Sequence, residues 1–71
     1  MNTSEINSWF INNGYDLGSD GKSWYRGSFK YQIDNNYLII KKMEINYTNL
    51  SWKLVGSVPI EKVSFKNNSI F

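Results

Sequence analysis

The chain has no cysteine, no histidine, one proline and only six acidic residues among its 71. Without cysteine there is no disulfide, no thiolate metal site and no thiol nucleophile. A domain this small is near the size at which a single core barely suffices, and secreted domains of that size are usually stapled. The missing staples therefore favour a reducing, cytoplasmic setting. The missing histidine removes the commonest general base near neutral pH and the commonest metal ligand. No apolar run approaches the ~20 residues of a membrane span, and the opening M-N-T-S-E lacks the basic-then-apolar pattern of a secretory leader.

Catalytic groupings are equally scarce. Asp16 and Asp20 form the one close carboxylate pair, and a calcium loop needs more oxygens at fixed alternate positions. Gly18-Ser19-Asp20-Gly21 lacks the Gly-Lys-Ser/Thr end of a phosphate loop. Any serine nucleophile would have only lysine for a base. The expectation is a protein that is not an enzyme and has no catalytic residue, cofactor or metal.

What the chain does have is aromatic residues, 17% of the total. Each can bury roughly 150–250 Å², so a few of them supply most of a small core. The abundance of Asn, Lys, Ile, Tyr and Phe matches AT-rich codons and points to a low-GC bacterium, its phages or its mobile elements. The net charge of +2 is small but polarised. The first 21 residues carry Glu5, Asp16 and Asp20 and no cation. Residues 22–53 carry Lys22, Arg26, Lys30, Lys41, Lys42 and Lys53 against Asp34 and Glu44.

The fold class read from this pattern is α+β, one domain over residues 1–71. A short N-terminal helix packs on an antiparallel meander of three to four strands. The helix spans about 4–13. Asn2 or Thr3 caps it, with Glu5 at capping-box spacing from Asn2. Ile6, Trp9 and Phe10 form one apolar stripe. Gly14 stops it in a left-handed conformation, which places Tyr15 against Phe10.

Strands are expected over about 22–33, 37–47 and 50–58. In K-S-W-Y-R-G-S-F-K-Y-Q-I the odd positions Tyr25, Phe29, Tyr31 and Ile33 read as a core wall. Trp24, Arg26 and Lys30 then face water. A three-residue loop at Asp34–Asn36 pairs Ile33 with Tyr37, and a turn at Thr48–Asn49 pairs Tyr47 with Leu50. That register sets Lys41 opposite Gly56. Pro59 suits the end of an edge strand. The tail, Val63–Phe65 onward to Ile70 and Phe71, adds a fourth strand over about 62–66 or crosses under the sheet; the residues leave both open.

This register gathers Trp24, Arg26, Lys30, Lys42, Glu44 and Lys53 on the wet face as the expected partner-binding residues, with Leu38 and Ile40 on the same face toward the first hairpin. Arg26, Glu44 and Lys53 read as a cross-strand charge ladder, worth a few tenths of a kcal/mol per pair, or the whole set reads as a basic-aromatic binding surface with an exposed Trp. An RNA-recognition sheet wants a basic residue and Gly followed by aromatic-x-aromatic, and Arg26-Gly27-Ser28-Phe29 has its aromatic on the wrong phase. A chain this small leaves little room for a substrate cleft but enough surface for a larger partner. The expected function is thus a small inhibitor or regulator that occupies a site on a larger protein or protein–nucleic-acid complex. Its most concrete form is a phage or mobile-element protein blocking a host defence or nucleic-acid enzyme in a bacterial cytoplasm. The alternatives are a sheet-face DNA or RNA binder and a small phage assembly protein using its edge strand. No membrane partner is expected, and the chain is read as a monomer or homodimer.

Overall fold

The computed structural model describes residues 1–65 with their side chains and residues 66, 69 and 70 by backbone; Phe71 lies outside it, as does the side chain of Ile70. Helix α1 (Thr3–Asn12) is followed by β1 (Asp16–Leu17), β2 (Ser23–Arg26), β3 (Phe29–Asp34), β4 (Tyr37–Asn46) and β5 (Asn49–Pro59). These five strands form one antiparallel sheet in chain order. A 3₁₀ turn (Ile60–Lys62) leads to β6 (Phe65–Lys66), which pairs with β7 (Ser69–Ile70) in a separate hairpin. The class is α+β, with five strands in the main sheet rather than three or four.

The helix forms for the reasons its sequence gives. Asn2 accepts from the Glu5 N–H at 2.8 Å, and Glu5 accepts from the Asn2 N–H at 3.0 Å, a complete capping box. At the other end Gly14 takes φ +76°, Tyr15 N–H donates to Phe10 O, and Gly14 N–H donates to Ile11 O. That is a Schellman stop, and the Tyr15 ring meets Phe10 edge-on at 4.9 Å.

The three hairpin turns set the faces of the sheet. Gly27 has φ +57° and sits with Ser28 between the paired Arg26 and Phe29. Left-handed backbone at the first central position only is the signature of a II′ hairpin, with Gly-Ser as a favoured pair. The stretch 22–33 is therefore two strands, where the sequence reading has one. An even-residue turn inverts the alternation, so Trp24 now shares a face with Tyr31 and Ile33. Asn35 (φ 49°) and Asn36 (φ 66°) form a two-residue I′ turn. Ile33 consequently pairs with Leu38 and Tyr31 with Ile40, one residue away from the expected register. Tyr47 and Thr48 make the third turn, so Ile45 pairs with Leu50 and Met43 with Trp52. A bulge between Ile40 and Lys41 resets the ladder, and Gly56 faces Ile40 rather than Lys41.

These shifts decide the core. Trp24, Leu38 and Ile40, expected on the wet face, are 6%, 0% and 5% exposed. Trp24 stacks on Phe10 at 5.6 Å, and its indole N–H donates to Asn7 Oδ1 at 3.1 Å. Ile6, Phe10, Trp24, Leu38 and Val63 form the buried cluster, with Tyr31, Ile33, Val58 and Phe65 against it. Val63 belongs to the tail, which crosses to the helix side instead of joining the sheet, and Phe65 stacks on Trp9 at 3.9 Å. Helix and tail thus cover one face of β2–β5, and the opposite face has no covering layer among the described residues.

Candidate functional site

The uncovered face is assembled by register. Tyr25 of β2 faces Lys30 of β3, which faces Lys41 of β4, which faces Leu54 of β5. One row further toward the β4–β5 tip stand Met43 and Trp52, then Ile45 and Leu50. The sheet curls enough for Trp52 to reach Tyr25, with ring centroids 5.7 Å apart. The Lys30 ammonium lies 5.7 Å from each of these two rings. Tyr25 is seated on Gly18, where a Cβ would stand 2.6 Å from the ring edge; any other residue there would push the ring off the loop.

Around this aromatic–lysine centre lies apolar surface that a monomer would ordinarily hide. Leu50, Leu54 and Ile45 are 59%, 61% and 66% exposed. The arms of β4 and β5 run past the end of β3, whose first residue, Phe29, faces Lys42. The tip beyond Met43 therefore projects free of β3, and the molecule is 38 Å in its longest dimension. Tyr47 at the turn is fully exposed and holds φ +55°, a conformation costly for a residue with a Cβ.

The other face carries a second charged row past the end of the helix. Arg26 faces Phe29, Phe29 faces Lys42 and Lys42 faces Lys53. The Lys42 ammonium lies 5.9 Å over the Phe29 ring, and the Arg26 guanidinium lies 5.0 Å over Tyr15. Glu44 is one row beyond, opposite Ser51, whose hydroxyl donates to the Glu44 carbonyl oxygen. Lys42, Glu44 and Lys53 border a shallow hollow of about 280 Å³ with Met43.

The six expected partner-binding residues are thus divided. Arg26, Lys42, Glu44 and Lys53 stay together at the helix-free end of one face. Lys30 lies on the opposite face, and Trp24 is in the core, so its role as an exposed hot spot is withdrawn. The Arg26–Glu44–Lys53 ladder is also withdrawn, because a lysine and not Glu44 stands opposite Lys53. Tyr25, Met43, Trp52 and Leu54 are the residues that sequence reasoning placed in the core or left unused. The Gly27-Ser28 dipeptide was the signal that would have turned Tyr25 outward, and a two-residue turn at Asn35-Asn36 the one for Met43, Trp52 and Leu54.

One feature breaks a packing rule on both faces. Lys41 and Lys42 are consecutive in β4, and each stands directly opposite another lysine, Lys30 in β3 and Lys53 in β5. Like charges directly opposite in a sheet destabilise it. Departures of this kind from local consistency concentrate where a surface is kept for function.

Asp20 is not free for a ligand. One carboxylate oxygen accepts from the Lys22 and Ser23 N–H groups and the other from the Ser23 hydroxyl. The Lys22 N–H and then the Ser23 hydroxyl hold its pKa below the ordinary 3.8. Among the described residues no three acidic, His or Cys side chains gather as metal ligands, and no helix is long and apolar enough to cross a membrane. No protein-family model matches the chain, and no curated protein or solved structure matches it.

Proposed function

We propose that this is a non-enzymatic binding protein that occupies a site on a larger protein through the uncovered sheet face. The observation that carries the reading is the Tyr25–Lys30–Trp52 centre, with the unrelieved Lys30/Lys41 pair beside it and exposed Leu54, Leu50 and Ile45 around it. An aromatic anchor, a cation partly desolvated against rings and a rim of aliphatic side chains is the composition of an interface hot spot. The complementary partner surface is apolar with flanking carboxylates, which would neutralise Lys30 and Lys41. Inhibition or regulation by steric occupation is the role such a surface supports in so small a domain. The AT-rich composition favours a phage or mobile-element protein acting on a bacterial host enzyme, in the host cytoplasm.

A second reading rests on the other row. Arg26, Lys42 and Lys53 around Phe29 could neutralise neighbouring phosphates, with the ring available for stacking. Trp fluorescence titrated with single-stranded DNA, duplex DNA and RNA at about 50 and 200 mM salt separates the two. The protein-partner reading expects no salt-steep response to any of them. A response that falls steeply with salt and is lost in R26A/K53A would replace it with the nucleic-acid reading.

A further inference from the structure

We propose that the free edge of β5 pairs with the same edge of a second copy of this chain, antiparallel, about a two-fold axis through Trp52. This stands on the edge of the sheet and is independent of what binds its face. Among the described residues β5 ends the strand order, and its backbone ladder is made with β4 alone. The direction of its remaining groups follows from one hydrogen bond. Met43 N–H donates to Ser28 O at 2.7 Å, toward the β3 side. Alternate residues of an antiparallel strand turn their backbone groups to opposite sides. Lys42 and Glu44 therefore turn theirs to β5, where Lys53 and Ser51 answer them. Leu50, Trp52 and Leu54 are left with N–H and C=O pointing out from the edge.

Those three residues lie in L-S-W-K-L, Leu50 to Leu54, which has the same apolar–polar alternation in both directions. A two-fold contact demands such self-complementarity, since each patch meets itself. Rotation about Trp52 pairs Leu50 with the second copy's Leu54, Ser51 with the second copy's Lys53, and Trp52 with its own equivalent. Every outward donor then finds an outward acceptor, and no lysine meets a lysine. On the other face the new row would run Glu44, Ser51, then the second copy's Lys53 and Lys42, setting a carboxylate in line with the crowded lysines. Natural edges are guarded by bulges, prolines and charges. Here the bulge and Pro59 fall in the later half of β5, which confines pairing to the stretch before Val55. The paired stretch is only Leu50–Leu54, short of the ~800 Å² per partner of a standard interface, so the dimer should be weak and show itself on raising the concentration.

Sedimentation velocity of the full chain from about 5 to 500 μM reads this directly. The expected result is a mass rising with concentration from 8.3 kDa toward twice that value. S51K places a lysine opposite the second copy's Lys53 at two symmetric points, yet within its own chain it faces Glu44. Association should weaken about 3- to 10-fold. Adding K53E to S51K puts opposite charges at both points and should restore it. A mass that stays at 8.3 kDa throughout, association indifferent to S51K, or a double variant no stronger than S51K would each overturn the proposal. Because only the chain itself is present, those outcomes leave the protein-partner reading untouched.

Discussion

Trp24 is held from two directions: its ring stacks on Phe10 and its N–H is satisfied by Asn7. Removing a buried aromatic of this kind costs about 3–5 kcal/mol, close to the whole stability of a domain this small. Trp24→Ala should therefore be largely unfolded in water by near-UV circular dichroism, whereas Trp52→Ala, on an uncovered face, should keep a native spectrum. Asp20 supplies the pH dependence at this scale. Its folded pKa is depressed, so its contribution is complete above the ordinary 3.8 and is lost as pH falls through the lower folded value. Urea midpoints measured from pH 5 to pH 2 should fall further for the wild type than for Asp20→Asn, which keeps an acceptor but no titration. Equal slopes would mean that the Asp20 turn contributes nothing to acid stability.

At the scale of elements, the helix was legible in full because its signals are local. The Asn2/Glu5 box, the Ile6/Trp9/Phe10 stripe and the Gly14 stop each act within a few residues. The sheet was legible in its strands but not in its faces. Face assignment depends on whether each turn holds an even or odd number of residues, and a single misread turn inverts everything beyond it. Reading 22–33 as unbroken sent Trp24 outward, and a three-residue loop at Asp34–Asn36 then put a consistent apolar set on one face. The two errors compensated, which hid both. The third turn offers a separate test. Tyr47 is fully exposed yet left-handed, so Tyr47→Gly should raise stability by about 0.5–1 kcal/mol with no packing lost. A fall in the thermal midpoint would show that the Tyr47 side chain does stabilise the tip.

For the whole molecule, the sheet separates two surfaces, and the consecutive Lys41 and Lys42 put an opposed lysine pair on each. Those pairs arise only from register, which is why the sequence showed a basic stretch without showing its internal conflict. Lys53→Glu should relieve one of them and raise stability by about 0.2–1 kcal/mol at low salt, with the gain shrinking as salt is added. No gain at any salt would mean that the Lys42/Lys53 pair is already relieved by solvent. The central claim, that a protein partner seats on the Tyr25–Lys30–Trp52 face, is tested most directly by affinity capture from nuclease-treated bacterial lysate. Wild type, Trp52→Ala and R26A/K53A would be compared by quantitative mass spectrometry. The expected result is a protein enriched by the wild type and by R26A/K53A and lost with Trp52→Ala. Enrichment that survives Trp52→Ala, or that disappears only with R26A/K53A, would contradict it.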